Sequence, residues 1–386
     1  MNLTRRQTLS FFCATSLFSL LPSSYLNAAL NSKHLILVEL QGANDGLNTV
    51  IPFEDQNYYK LRPSLGIPKK DILTISRNVG LHFSLSGLAQ IFEKGELKIV
   101  QNLGYPNPVL SHFRSIELWE TGGDGKSKGR SGWLNDSLNR MESQSDLDGK
   151  AIYLDQSSGV FRGGFDGFYG PNSIGFEAAE LESRDQTIPI PDNFGLLSDL
   201  MRERKKNYQK LKEIQNKLLG ANRFSSIGRG ELGAQLGKVC NILSKGIKIP
   251  VFKVAIGSFD THAEQFWRHR ELLRELDESL SGTVKALKEI GIWNETVIMT
   301  YSEFGRRAAE NGSRGTDHGM AAPHFLMGGK LKGGFVGQTP NLSRLRNNNL
   351  EFEIDYRTVY ETVLREHFGL NENPFKKYQN KELFSL

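Results

Sequence analysis

The sequence predicts an α/β layered fold with a mostly parallel central sheet flanked by helices. Several short segments rich in Val, Ile and Leu are apolar on both faces, which is typical of parallel strands covered on both sides. Segments with helical spacing of apolar residues lie between them. This alternation of strands and helices indicates a layered α/β domain.

The predicted elements follow in chain order. The strands are residues 34–40, 96–103, 150–156, 249–257 and 295–301. The clearest helices are residues 83–95 and 263–291, and in the second Leu272, Leu276 and Leu280 recur on one face. A charged stretch with little β propensity, about 193–246, predicts a helical insertion in a single domain of residues 29–386.

The first 28 residues are typical of a bacterial export signal. Arg5 and Arg6 precede an apolar run from Leu9 to Leu21, and small residues follow around Ala28. The paired arginines indicate the twin-arginine type, with an ordinary secretion leader or an uncleaved anchor as alternatives. We therefore expect export by the twin-arginine machinery to the periplasm or the medium, and no membrane span in the mature chain.

Charge and cysteine content exclude some classes of protein. The formal charge of +5 is mild, and the sequence has no basic stripe interleaved with aromatic residues, so nucleic-acid binding is not expected. Cys13 lies in the leader, which leaves Cys240 without a partner for an internal disulfide. Core burial must therefore stabilise the fold.

Polar residues cluster where the predicted strands end. Ligands of open α/β sheets bind outside the carboxyl ends of the strands, so these residues could converge there. Carboxylates and neutral imidazoles are ligands of Zn²⁺ or Mn²⁺. The candidates are Asp45, Ser111, His112, Asp260, His262, Glu303, Arg306, Asp317 and His318.

Each candidate also has a plainer interpretation. Ser111 could only cap a helix, and Asp45 before Gly46 could only fix a turn. His112 could be a ligand, a base beside Ser111 or an aromatic filler. Arg306 could be a solvated charge. These alternatives stay open on the sequence alone.

Six motifs resemble the bacterial DUF1501 family, and the resemblance spans nearly the whole chain. They are QGANDGLNTVIPF, LGYPNPVLSHFRSIELWETG, SGWL, GSFDTHAEQ, TYSEFGRRAAENGSRGTDHG and YRTVYETVL. Proteins of this family are exported, often with a twin-arginine signal, and resemble the alkaline phosphatase and sulfatase superfamily in fold. The resemblance implies an alkaline-phosphatase-like fold but names no established activity.

The residue roles known in the superfamily are assigned to this chain only where a residue stands at the matching position. Asp45 matches a metal-binding Asp after the first strand, and Ser111 matches a nucleophile at a helix N-terminus. Asp260, His262 and His318 match later metal ligands. Where the superfamily usually has Asp-His, this chain has Ser302 and Glu303. The loss of an acidic ligand makes a single ion a serious alternative to two.

The resemblance implies a hydrolase of phosphate or sulfate esters, with Ser111 attacking a small-molecule or polysaccharide ester. Asp45, Asp260, His262, Glu303 and His318 would bind one or two divalent ions, Zn²⁺ or Mn²⁺. Arg306 or Arg114 would pair with the oxyanion. The alternatives are a non-catalytic exported binding or assembly protein with the hydrolase fold, and a purely structural metal.

Overall fold

The computed structural model describes most of the chain after the leader. The described residues are 33–127, 129–140, 147–164, 167–171, 195–220, 222–224, 227–370, 375 and 384–386. The predicted export signal, residues 1–28, lies outside them. Among the described helices, none combines the length and apolar character needed to cross a bilayer.

The strands are short and end in the loops that form the candidate site. In chain order they are β1 (His34–Leu40), β2 (Val50–Ile51), β3 (Leu73–Thr74), β4 (Gly80–Leu81), β5 (Leu97–Gly104), β6 (Ala151–Tyr153), β7 (Phe168–Tyr169), β8 (Val251–Ile256), β9 (Thr296–Tyr301), β10 (Gly305–Arg306), β11 (His318–Gly319), β12 (Ala322–Gly328), β13 (Gly334–Val336) and β14 (Ile354–Asp355).

Nine of these strands form the central sheet of the described residues. The order is β13-β5-β12-β9-β1-β8-β6-β7, and β14 also pairs with β5. β12 runs antiparallel to both of its neighbours, whereas the other pairs are parallel. The predicted mostly parallel sheet is therefore confirmed, and β7, β12, β13 and β14 are the strands that the sequence analysis missed.

The helices cover both faces of this sheet. They are α1 (Gln56–Leu61), α2 (Ser86–Glu93), α3 (His112–Thr121), α4 (Trp133–Arg140), α5 (Leu196–Leu218), α6 (Gly230–Ser244), α7 (Gln265–Ile290) and α8 (Tyr356–Thr362). On β1, Ile36 and Val38 join the core with α2, α6 and α7, whereas Leu35 and Leu37 join the core with α3, α4 and α8. Strands buried on both sides explain the continuous apolar runs.

The predicted helical stretch of about 193–246 contains α5 and α6, and its first residues lie outside the described part. Leu232, Leu236 and Val239 of α6 are buried in the core against the sheet. Burial of each such side chain contributes about 1.5–3 kcal/mol. α6 is thus a layer of the main domain, not an appendage.

Candidate metal centre

The site forms where β8 and β9 end, as the fold predicts for a mostly parallel sheet. Asp260 and His262 follow β8, and Glu303 follows β9. His112 is the first residue of α3. His318 lies on β11, which pairs with β10 and so returns the chain to the same edge.

His112, Asp260 and His318 form the centre of the site. Each offers one ligand atom, and these atoms lie within 4.8 Å of one another. Nε2 of His112 is 3.1 Å from Nε2 of His318 and 3.5 Å from Oδ2 of Asp260. Oδ1 of Asp260 is 3.4 Å from Nε2 of His318. The sequence separation of up to 206 residues shows that only the fold assembles this group.

His262 extends this group through two of its members. Its Nε2 lies 3.0 Å from Nε2 of His318 and 3.0 Å from Oδ1 of Asp260. Three imidazoles and one carboxylate therefore converge, and we call His112, Asp260, His262 and His318 the histidine cluster.

The Nδ1 atoms of the three rings point away from the cluster to oxygen acceptors. Nδ1 of His112 lies 2.7 Å from Oε1 of Glu303, and Nδ1 of His318 lies 2.9 Å from the Leu110 carbonyl. Nδ1 of His262 lies 3.5 Å from Oδ1 of Asp317. Because a carbonyl or an ionised carboxylate can only accept, Nδ1 carries the hydrogen in His112 and His318.

This tautomer leaves a lone pair on Nε2 of each neutral ring. Two such lone pairs facing each other at 3.1 Å repel unless a positive charge lies between them. A proton bridges one pair of nitrogens, but Nε2 of His318 faces both other rings. A divalent cation would satisfy Nε2 of His112, Nε2 of His318 and the Asp260 carboxylate together, because these ligand atoms lie within 4.8 Å of one another.

The donor set fits a zinc ion. Zinc binds imidazole at about 2.0–2.1 Å, and in a tetrahedron this corresponds to donor separations of about 3.3–3.4 Å. The separations of 3.1–3.5 Å between donor atoms of His112, Asp260 and His318 are close to that value. Nδ1–H bonds to carboxylate or carbonyl oxygens are the usual support for zinc-binding histidines.

Glu303, a predicted ligand, instead lies behind His112. Its Oε1 accepts from His112 Nδ1 and, at 2.9 Å, from the Gly42 amide, while Oε2 accepts from Ser302. Burial has the largest single effect and raises the pKa of Glu303, but the hydrogen bonds from His112 and from backbone amides together with the His112 charge leave the pKa below its ordinary value. The bond with Glu303 also raises the pKa of His112. Glu303 therefore orients a ligand.

Arg306, predicted to bind the oxyanion, is buried and has no free face for a substrate. Its Nε donates to the Ala43 carbonyl at 2.7 Å, and its Nη1 donates to Thr316 at 2.9 Å. Its Nη2 donates to Phe259 and to Oδ1 of Asp260, at 2.6 Å, and also to the Gly42 carbonyl. Arg306 thus ties three loops together and fixes Asp260.

Asp45, also a predicted ligand, is outside the histidine cluster. Arg62 contacts both of its carboxylate oxygens, at 2.5 and 2.9 Å, and Gln265 donates to Oδ2. Asp45 and Arg62 are both buried. Burial raises the pKa of Asp45, but the charge and hydrogen bonds of Arg62 lower it by more than that. The pKa of Asp45 is therefore below its ordinary value. The guanidinium of Arg62 therefore already occupies the place beside the Asp45 carboxylate that a metal ion would take.

Ser111 stands beside the cluster at the N-terminus of α3. Its neighbours both contact the cluster, since the Leu110 carbonyl bonds with His318 and His112 is a member. Ser111 is exposed, and its hydroxyl makes no capping hydrogen bond, although it occupies the N-cap position. The capping interpretation therefore does not account for this hydroxyl.

Three features of the site were not evident in the sequence. They are the role of Asp317 beside His262, the Leu110 carbonyl beside His318, and Arg62 as the partner of Asp45. Asp317 was one of the candidates in the sequence, but its position beside His262 was not predicted. The other two carry no sequence signal, because each depends on contacts between distant loops.

Comparison with known families supports the resemblance over the C-terminal part of the chain. The model of the family described as "Protein of unknown function (DUF1501)" matches residues 242–384. This range contains Asp260, His262, Glu303 and His318, whereas His112 precedes it. No curated protein matches the sequence significantly.

Solved structures of the alkaline phosphatase and sulfatase superfamily are similar at low identity. A protein of that superfamily from Vibrio parahaemolyticus is 13% identical, with a TM-score of 0.37; the match covers 81% of this chain and 64% of that one. PsFucS1 sulfatase from Pseudoalteromonas sp. is 12% identical over 89% and 70% of the two chains, with a TM-score of 0.39. The periplasmic domain of EcEptC from Escherichia coli, in complex with Zn, is 11% identical over 78% and 75%, with a TM-score of 0.36. At these scores the similarity carries no argument about chemistry.

Proposed function

We propose that this chain is an exported, metal-dependent hydrolase of phosphate or sulfate esters. The observation that carries the proposal is the convergence of His112, Asp260 and His318, whose ligand atoms lie within 4.8 Å of one another near the carboxyl ends of β8 and β9, with His262 beside Asp260 and His318. Such a cluster can hold a cation between its donors, and it lies where α/β folds bind their ligands.

His112, Asp260 and His318 would hold one divalent ion, and His262, which contacts Asp260 and His318, would be a further donor. Three imidazoles with one carboxylate favour Zn²⁺ over Mn²⁺, which prefers more oxygen ligands. When bound, such an ion polarises the ester and lowers the pKa of a nearby hydroxyl. Glu303, Asp317 and the Leu110 carbonyl keep the three rings in the binding tautomer.

Ser111 is the proposed nucleophile. At the N-terminus of α3 its oxygen feels the positive end of the helix dipole and the unpaired backbone N–H groups, which favour a negative charge there. Because Ser111 is exposed, its proton can pass to water as Oγ bonds to phosphorus or sulfur and the alcohol leaves. Water then hydrolyses the serine ester and releases phosphate or sulfate.

Export remains part of the proposal. Arg5 and Arg6 ahead of an apolar run support a twin-arginine signal and a periplasmic or secreted location. The substrate would then be an ester met outside the cytoplasm, either a small molecule or a polysaccharide ester.

The decisive experiment measures metal content and ester hydrolysis on the same purified protein. We expect about one equivalent of zinc by elemental analysis, and release of nitrophenol from a nitrophenyl phosphate or sulfate. Ser111→Ala should abolish turnover and retain the metal. Ser86→Ala, an exposed serine in the first turn of α2, is the matched control and should change neither quantity.

Two results would overturn the proposal. Protein that binds zinc but hydrolyses no ester would indicate the alternative role, a binding or assembly protein that keeps the site. Hydrolysis that is unchanged in Ser111→Ala would remove Ser111 as the nucleophile.

A further inference from the structure

Phe304 is a buried aromatic residue that packs against two members of the histidine cluster. It follows Glu303 in the chain, and only 2% of it is exposed. Its ring centroid lies 4.9 Å from that of His112 and 4.7 Å from that of His318. The two imidazole centroids are 4.5 Å apart. The three rings therefore pack as one group, in which Phe304 is the member without a ligand atom for a metal ion.

The angles between the three rings show that Phe304 contacts both imidazoles in the same way. The planes of the His112 and His318 rings make an angle of 80°, and the phenyl plane is tilted by 41° from each of them. Because this tilt is about half of the angle between the imidazoles, the phenyl plane lies midway between their planes. Aromatic rings attract one another at centroid distances of about 4.5–7 Å. A rotation of either imidazole would therefore disturb its contact with the phenyl ring.

The hydrogen bonds of the two imidazoles fix only one corner of each ring. Nδ1 of His112 is bonded to Glu303, and Nδ1 of His318 is bonded to the Leu110 carbonyl. The torsion about the Cβ–Cγ bond of a histidine has broad preferences, so a ring tied at one nitrogen can still tilt. A side chain packed against the ring resists that tilt, because a close-packed interior leaves no room for it. Phe304 is such a side chain for both rings.

The backbone of Phe304 is itself anchored on both sides. The preceding residue, Glu303, accepts from the Gly42 amide at 2.9 Å. Two residues after Phe304, Arg306 donates to the Ala43 carbonyl at 2.7 Å. Both anchors belong to the loop after β1. The phenyl ring is therefore carried by a segment that cannot easily move aside when an imidazole tilts towards it.

We propose that Phe304 is a positioning residue of the metal centre, which holds the His112 and His318 imidazoles at the angle that lets both Nε2 atoms meet one ion. The inference rests on the metal site of the proposed function and not on its ester chemistry. Without the phenyl ring, the two imidazoles would have to be ordered when the ion binds, and that ordering reduces affinity. Part of the affinity for zinc is thus assigned to a side chain that does not bind it.

The test replaces the phenyl ring and measures metal binding to the full chain. Phe304→Leu keeps an apolar side chain but removes the flat ring. Competition with a chromogenic chelator should show a fall in zinc affinity of about tenfold, as expected for a change behind a metal ligand. Co²⁺ in place of zinc gives visible absorption bands that depend on ligand geometry, and these bands should change in Phe304→Leu. Neither readout depends on ester hydrolysis.

A matched variant separates this role from a general loss of packing. Phe325 is also 2% exposed, and it lies in the core that the sheet shares with α2, α6 and α7. Phe325→Leu should lower the free energy of unfolding as Phe304→Leu does, but leave the zinc affinity and the Co²⁺ bands unchanged. Urea denaturation first establishes that each variant is folded. If Phe304→Leu does not fold, Phe304→Ile takes its place with the same expected result.

Each outcome decides between the two proposals. Reduced zinc affinity in Phe304→Leu, with no ester hydrolysis by the native protein, would uphold this inference and overturn the proposed function. Native zinc affinity in Phe304→Leu, with ester hydrolysis by the native protein, would do the reverse. An equal loss of affinity in Phe304→Leu and Phe325→Leu would also overturn the inference, because the fold as a whole would then be loosened. A native protein that binds no zinc would overturn both.

Discussion

Two regions of the molecule look alike in sequence and differ in what balances their charge. In the Asp45 network, made of Asn44, Asp45, Arg62, Gln265 and His269, the acidic group bonds with a guanidinium of the same chain. In the histidine cluster the Nε2 lone pairs face one another. The Asp45 network is buried, whereas the side chain of Asp260 is 45% exposed.

The comparison shows that a polar residue after a strand is not enough to indicate a metal ligand. What matters is whether the chain supplies its own positive charge. Arg62 does so for Asp45, and it leaves neither carboxylate oxygen free. In the cluster, Arg306 bonds with one oxygen of Asp260 and its Nη1 lies 3.5 Å from Nε2 of His262, but among the described residues no guanidinium or ammonium group bonds with the facing Nε2 atoms of His112 and His318. The Asp45 network therefore stabilises the fold, whereas the histidine cluster is available to bind a cation.

Removal of the Arg62 guanidinium should break the Asp45 network and have the largest effect on stability. Arg62→Ala leaves the buried Asp45 carboxylate unpaired, and we expect a loss of about 3–5 kcal/mol in the free energy of unfolding. Urea denaturation measures it. Lys69→Ala breaks an exposed pair with Glu54 and should cost less than about 1 kcal/mol. Equal losses in the two variants would refute the structural role of the pair.

A second prediction concerns the histidine cluster and removes the negative charge of Glu303, which lies behind His112. Glu303→Gln keeps an acceptor for Nδ1 of His112 but removes the carboxylate, so we expect zinc affinity to fall about 10–100-fold with little change in stability. Competition with a chromogenic chelator measures the affinity. Glu96→Gln is the control, because it removes a carboxylate that pairs with Lys288 and belongs to neither region. Unaltered zinc affinity in Glu303→Gln would show that Glu303 does not support the ligand.

The pH dependence of stability should report on the neutral imidazole of the Asp45 network. Burial lowers the pKa of His269 from 6.5 to about 4. Between these values the unfolded chain takes up a proton that the folded chain does not, so stability falls with decreasing pH by about 1.4 kcal/mol per pH unit.

His269→Gln should make this dependence shallower, and urea denaturation across the window measures the slope. Gln209→Ala, at an exposed position of α5, should leave it unaltered. The other buried histidines contribute to the total slope, so only the difference between the two variants is diagnostic. An identical slope in both would show that His269 is protonated in the folded state.

Most of the sheet could be predicted because its strands are buried on both faces. The apolar segments at 34–40, 249–257 and 295–301 correspond to β1, β8 and β9. β12 escaped prediction because Pro323 and His324 interrupt its apolar run. Pro323 fits because the register between β12 and β5 shifts between Ala322 and His324, an irregularity that no local pattern reveals.

The site could be predicted in its residue types but not in its pairings. Asp260, His262 and His318 were expected as ligands, and the structure brings them together. For His112 the sequence left a ligand, a base beside Ser111 and an aromatic filler open, and the structure places it among the converging donors. Glu303 lies 191 residues from His112 in sequence, and Arg62 lies 17 residues from Asp45. Which acid meets which base is decided by loop packing and not by spacing.

The guanidinium of Arg306 has a consequence for how the protein exchanges its ion. It joins the loop after β1, the loop after β8 and the segment before β11 through hydrogen bonds that require no metal. The disorder of these loops is already lost on folding, so cation capture does not have to order them. A protein emptied by a chelator should then keep its shape and refill within the time of mixing, without passing through an unfolded chain.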